Sequence, residues 1–300
     1  MAPGRLLDWI GDASGSSSAR HLEAFRSLVL AHWALQAWSW RLEPAVAGVP
    51  IGAHTFAVSG VVLTACCVLS LGSRGRLACI IALPVALLCA GGLFPFTANH
   101  TFLALVCLAA FALLDPKLPE EGALALCALR WLAVIVFCWA GVHKAWYGLY
   151  FGGEFLTWMI AHGGERWGEV FGLAVSDVEL ARLEAYPRYS TEAGPYRAAS
   201  PLLVVLSNGV WLGEIALGLG MLWRRTRTFA ALGAIGLTFG IQLAPREFMF
   251  ALFYSQLLLL FVPGEWNRRL LVVFLVVYAY LLAVLLGAPG EFFLRRGGTL

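Results

Sequence analysis

Charge is scarce in this sequence. Only 13% of its 300 residues are Asp, Glu, Lys or Arg, against 60% apolar. That balance excludes an ordinary soluble domain. The formal net charge of +3 is too small to suggest a nucleic-acid partner. The short catalytic motifs are also missing: there is no HExxH, no P-loop, no GxSxG, and no GxGxxG behind a strand pattern. Cys66, Cys67, Cys79, Cys89, Cys107, Cys127 and Cys138 all fall inside apolar runs. With none in the long polar connection, neither a disulfide framework nor a CxxC pair is expected, and no metal. These cysteines read as small buried hydrophobes. The first 24 residues lack an apolar core of the signal-peptide kind, so the first span is expected to do the targeting.

What the sequence does hold is a series of long apolar runs: Leu22–Trp40, His54–Leu71, Leu77–Leu93, a run from Pro95 to Leu114, Gly122–Val142, Leu202–Trp223, Phe229–Leu243, Phe248–Val262 and Leu270–Leu286. They predict an all-α fold, a polytopic integral membrane bundle of about nine transmembrane helices. Residues 1–20 read as a flexible tail, with a short interfacial turn at Leu6–Ile10, and residues 288–300 as a second tail. The membrane domain covers residues 21–287, including a connection over 146–200 that mixes aromatic and charged residues. Several runs are short, since fifteen helical residues reach about 22 Å against a hydrocarbon core of about 30 Å. Two of them meet at Ala244-Pro-Arg-Glu247, a turn near or below the membrane edge, which is tolerated where protein or a wet cavity covers it.

The basic clusters set orientation. Arg74/Arg76, Arg224/Arg225/Arg227 and Arg268/Arg269 lie in the second–third, sixth–seventh and eighth–ninth connections, all on one side of a nine-span chain. The positive-inside rule makes that side cytoplasmic, with the N-terminus. The 146–200 connection then faces outward from a cell membrane. Arg295 and Arg296 fall on the opposite side, where a short interfacial helix would absorb them.

The chemistry is sought in Phe137-Cys-Trp-Ala-Gly-Val-His-Lys144-Ala-Trp-Tyr-Gly148. Lysine at the end of a span is either a snorkelling anchor or a functional group. Ala140 and Gly141, four and three residues before Lys144, leave room on its helical face. His143 adds a second titratable group. Glu214, at the middle of the sixth span, is expensive there unless paired, protonated or hydrated. It reads either as a structural partner or as a functional acid. Ser207 shares nearly the same face, and Gly218 follows four residues on. Asn99-His100, opening the fourth span, reads as a cap with an interfacial histidine. His162, Glu165 and Glu169 read as a solvated helical face, and Arg246 and Glu247 as pairing with each other or with lipid.

Val136-Phe-Cys-Trp-Ala-Gly-Val-His-Lys144 and Gly152 together resemble the lysine segment of the vitamin K-dependent gamma-carboxylase family, the horizontally transferred transmembrane (HTTM) domain. In the same order, Phe25-Arg26 is similar to its arginine-bearing first span, and Asn99-His100 with Asp115 to its Asn-His helix. Glu214 matches its intramembrane acid, and Pro263-Gly-Glu-Trp266 the end of its eighth span. The resemblance runs from about Arg26 to Trp266. It implies that Lys144 is a base deprotonating a reduced quinone, with His100 and Asn99 as polar neighbours. His143, Glu214 and the Asn99-His100 pair are expected to converge with Lys144 on one cavity, because isolated ionisable groups in spans are expensive and tend to find one another. Only the neutral amine can accept a proton, and a low-dielectric pocket favours it. The family's carboxylase continues into a large soluble domain that holds its protein substrate, while this sequence ends soon after Leu286. Thr238 and Gln242 also stand where the family has a histidine. The expected partners are therefore membrane lipids and a lipophilic small molecule, with a quinol-directed reaction rather than peptide carboxylation. The alternative is a non-catalytic membrane protein: a small-solute carrier, or a subunit serving a partner. Quinone-linked DoxX-like proteins stand between the two.

Overall fold

The computed structural model describes residues 16–42, 53–94, 99–162, 167, 170–171, 174–185, 196–243, 248–262 and 267–289. The tail turn at Leu6–Ile10, Glu165, Glu169, the Ala244–Glu247 turn, Pro263–Trp266 and Arg295/Arg296 lie outside the described residues. What is described is helical throughout: α1 Ser16–Leu42, α2 Ala53–Ser70, α3 Gly75–Leu93, α4 Asn99–Leu113, α5 Pro119–Tyr147, α6 Glu154–His162, α7 Asp177–Glu184, α8 Pro201–Gly220, α9 Arg227–Gln242, α10 Phe248–Leu258 and α11 Asn267–Leu285. A 3-10 turn, Leu259–Phe261, extends α10. Nine of these coincide with the nine apolar runs. The other two, α6 and α7, form inside the connection expected over 146–200. Helix α1 begins at Ser16, so the first helix starts within the segment expected to be tail. Among the described residues three helices, Gly75–Leu93, Pro119–Tyr147 and Pro201–Gly220, are long and apolar enough to cross a membrane.

The chain divides into two compact units, Met1–Trp131 with Glu247–Leu300, and Leu132–Arg246. In the first unit α1 is the hub, meeting α2, α3, α4, α10 and α11. Its buried face carries Leu22, Phe25, Val29 and Trp33, but also the polar Arg26, His32 and Gln36. Polar side chains join neighbouring helices: Ser70 Oγ donates to Ser27 Oγ at 3.0 Å, and Trp38 Nε1 to Thr64 Oγ1 at 3.2 Å. Helix α3 turns a stripe of small residues inward, with Gly75, Ala78, Cys79, Ala82, Ala86, Cys89 and Ala90 all buried. Small residues let helix backbones approach where no water is available to drive association. The cysteines are thus packing residues, and all seven are free. The Arg26 guanidinium lies over Gly75, where any Cβ would collide with it.

Helix α5 also carries Arg130, a residue the apolar-run reading passed over. Its Nε and Nη2 donate to the Leu260 carbonyl oxygen at 2.9 and 2.7 Å, and its guanidinium sits 5.5 Å from the Phe261 ring. A carbonyl at the end of α10 is satisfied in this way.

In the second unit, the end of α5 leads into two left-handed glycines, Gly148 (φ 71°) and Gly153 (φ 79°), a conformation that side chains with a Cβ rarely adopt. They turn the chain into α6. Leu156 and Ile160 of α6 then bury themselves with Trp167 and with Leu203 of α8. Helix α7 is started by Ser176, whose hydroxyl accepts from Glu179 N at 3.2 Å. Glu179 Oε1 in turn accepts from Ala199 N at 2.6 Å, and Ala198 N donates to the Gly152 carbonyl at 3.0 Å. The two ends of the connection are held together at the start of α8. His162, expected on a solvated face, instead lies half-buried 3.3 Å from the Tyr196 hydroxyl.

Candidate functional site

The site is a lysine–glutamate pair between α5 and α8. Helix α8 buries Leu203, Ser207, Glu214 and Gly218, spaced so that all four lie along one stripe. Glu214 therefore has to point into protein. Opposite it, α5 presents Cys138, Gly141 and Lys144, three residues apart and on one face. The two helices meet at their small residues. A Cβ on Gly141 would lie 2.7 Å from the Trp211 carbonyl oxygen and 2.7 Å from Ile215 Cγ1. A Cβ on Gly218 would collide with Cys138 Sγ. The room beside Lys144 that the sequence implied is thus occupied by α8 itself.

This close approach lets the lysine reach the acid. Lys144 Nζ donates to Glu214 Oε1 at 2.7 Å and to Oε2 at 2.8 Å. The glutamate side chain is 5% exposed and the lysine side chain 19%. Lys144 is in the last turn of α5, where the helix dipole also favours a cation.

Tyr150 closes one side of the pair. Its ring centroid is 5.8 Å from Lys144 Nζ, and it stacks on Phe155 at 5.0 Å. Burial pushes its phenol well above the ordinary range, and the nearby Glu214 carboxylate adds to the shift. The loop that carries Tyr150 is tied to α8. Asn208 Nδ2 donates to the Phe151 carbonyl at 3.0 Å, and Trp211 Nε1 donates to Asn208 Oδ1 at 3.0 Å. Ser207 Oγ, buried on the same stripe as Glu214, has no partner among the described residues.

Lys144 and Glu214 are therefore brought together. His143 is turned away from them, exposed, with its ring 4.6 Å from Tyr147 and 6.5 Å from Trp139. Adjacent helical residues point about 100° apart, so neighbouring positions in sequence do not share a face. His100 belongs to the first unit, where its ring lies 5.3 Å from Phe250. Asn99 opens α4, and its side chain lies outside the described residues. No three His, Cys, Asp or Glu side chains gather to hold a metal ion among the described residues.

Tyr150 and Asn208 were not singled out from sequence. A tyrosine two residues past a turn glycine, and an asparagine six before a buried acid, carry no periodic signal. Only the fold of the connection makes them neighbours of the pair. No family model, curated protein or solved structure matches the chain.

Proposed function

We propose that this chain is a multi-pass cell-membrane protein of about nine spans, N-terminus cytoplasmic, in which the Lys144–Glu214 pair deprotonates a quinol or another lipophilic weak acid. The observation that carries this reading is the forked contact between Lys144 Nζ and both oxygens of a buried carboxylate on an apolar helix. The apolar exterior supports the membrane setting: Val58, Val61, Leu87, Ile135, Val205, Val272 and Val276 are all exposed. The resemblance to the HTTM domain supplies the base role of Lys144.

A reduced quinone, when bound, supplies a weakly acidic hydroxyl on a flat ring. The residues present suit such a group: a carboxylate to accept, an ammonium to face negative charge, and the Tyr150 ring as an aromatic wall. In its ammonium form Lys144 cannot act as a base. It becomes one by passing a proton along the existing 2.7 Å hydrogen bond to Glu214, which leaves a neutral amine and a neutral acid. Away from water the charged and neutral forms of such a pair lie closer in energy, because the ion pair has lost its hydration. The amine then takes the hydroxyl proton. The pair as a whole has gained one proton, and the restored ammonium faces the negative charge left opposite it.

The test uses the protein in detergent, without oxygen, titrated with reduced 2,3-dimethyl-1,4-naphthoquinone. The wild type is expected to develop the absorbance of the ionised hydroxyl, and Lys144→Arg is not, because a guanidinium stays protonated. An equal band in Lys144→Arg would end the base reading.

A further inference from the structure

The first unit holds a second polar assembly, which shares no residue with the Lys144–Glu214 pair. His32 of α1 is fully buried (0% exposed), as are Gln256 of α10 (2%) and Tyr278 of α11 (4%). Gln256 Nε2 donates to the Tyr278 hydroxyl at 3.0 Å, and that hydroxyl lies 3.4 Å from His32 Nδ1. A hydroxyl has one proton to give. The amide donates to it, and the imidazole tautomer sets which of the hydroxyl and Nδ1 is donor in the second contact. The hydrogen-bonded chain ends in a ring nitrogen, His32 Nε2, and an acceptor, Gln256 Oε1. Neither end has a partner among the described residues. One turn along α1, Gln36 is held through Nε2 by Thr101 Oγ1 of α4 at 3.2 Å, and its Oε1 is likewise unpartnered.

Buried polar atoms without partners are costly, and three on neighbouring turns and helices call for an occupant. The surroundings define its character. Apart from His32 and Gln256, Tyr278 is packed in an apolar cluster with Leu28, Ala31, Leu35, Leu252, Leu281 and Val284. The Phe253 ring lies 4.6 Å from the His32 ring at 30°, with Phe25 6.2 Å beyond Phe253. A charged ligand would find no counter-charge in the His32–Tyr278–Gln256 chain. A neutral hydroxyl would meet the acceptors Gln256 Oε1 and Gln36 Oε1, and a flat apolar body would meet the aromatic rings.

We propose that His32, Gln36, Gln256 and Tyr278 form a binding site for the uncharged hydroxyl group of an apolar, ring-bearing small molecule. Water offers the same oxygen chemistry without the apolar body, and the experiment separates the two sources.

The full-length protein in detergent is photolabelled with 4-(trifluoromethyldiazirinyl)phenol or with its methyl ether, and the labelled peptides are identified by mass spectrometry. The expected result is saturable labelling of peptides spanning Phe25–Gln36 and Phe250–Gln256, about fivefold stronger with the phenol than with the ether, the difference of one hydrogen bond. Gln256→Leu, which removes an unpartnered acceptor at similar volume, and Tyr278→Phe, which breaks the chain at its centre, should each lower the labelling. Should either variant fail to fold, the other reports the same point. Equal labelling by phenol and ether, or labelling unchanged in the folded variants, would show mere partitioning and overturn the site. Absence of label from these peptides would leave water as the sole occupant and overturn it equally.

Discussion

Lys144 Nζ lies within 2.8 Å of both carboxylate oxygens of Glu214, seventy residues away in sequence. Both groups sit on apolar helices, α5 and α8, and each is the charge the other requires. The pair gives three readings for Lys144: proton acceptor, structural brace and interfacial anchor.

Two substitutions separate them. Lys144→Met strands the Glu214 carboxylate and is expected to destabilise the protein by about 3–5 kcal/mol. Lys144→Arg keeps the charge, so stability should hold while proton uptake from a quinol is lost. Thermal unfolding in detergent and the anaerobic titration are the two measurements. Retained stability in Lys144→Met would identify the lysine as an anchor, and retained uptake in Lys144→Arg would identify it as a brace.

The pair depends on the helix contact beside it. Gly141→Val adds volume where the Trp211 carbonyl and Ile215 leave none, so α5 and α8 must separate. A loss of about 1–3 kcal/mol is expected, together with the response to quinol. Thermal unfolding and the same titration check this, and an unchanged melting temperature would contradict the close approach.

Arg130→Met should destabilise the protein by about 1–3 kcal/mol, since it leaves the Leu260 carbonyl at the end of α10 without its guanidinium donors. Arg130→Lys supplies one donor in place of the fork and should recover part of the loss. Denaturation midpoints of the two variants give the comparison.

Tyr150 provides a pH signature. Its folded pKa is raised above the ordinary 10.0, by burial first and by Glu214 second. A group whose proton is held more tightly in the folded state contributes stability that is complete below the unfolded pKa and is lost as pH rises above it. Stability should therefore fall as pH climbs past about 10. Tyr150→Phe should flatten that slope, and Glu214→Gln should shift the tyrosinate absorbance titration to lower pH.

Topology is testable directly. Arg74, Arg224 and Arg268 are expected in the cytoplasm, with Glu165 and Glu184 outside, from the distribution of Lys and Arg between connections. Cysteine-accessibility labelling that placed residues 160–195 in the cytoplasm would reverse the orientation and put Lys144 on the wrong side for the proposed chemistry.

By itself the sequence determined the helices. Apolar runs bounded by glycine, proline and charge impose helical segments, and the nine runs recur as α1–α5 and α8–α11 with ends moved by a few residues. It also marked Lys144 and Glu214, because an ionisable group in an apolar run stands out against its surroundings. What it could not determine was who meets whom. Lys144 pairs with Glu214 because Gly141 and Gly218 let two helices approach, a property of two surfaces that no single run contains. His143, beside Lys144 in the chain, was separated from it by the 100° turn between successive helical residues. Tyr150 and Asn208 reached the pair only through the folding of the connection. Arg130 was hidden by the apolarity of its own run, and His32, Gln256 and Tyr278 became one chain of hydrogen bonds only when α1, α10 and α11 packed. Local pattern fixes a helix because its hydrogen bonds lie within four residues. A site depends on contacts between distant segments, and those were decided by the tertiary structure.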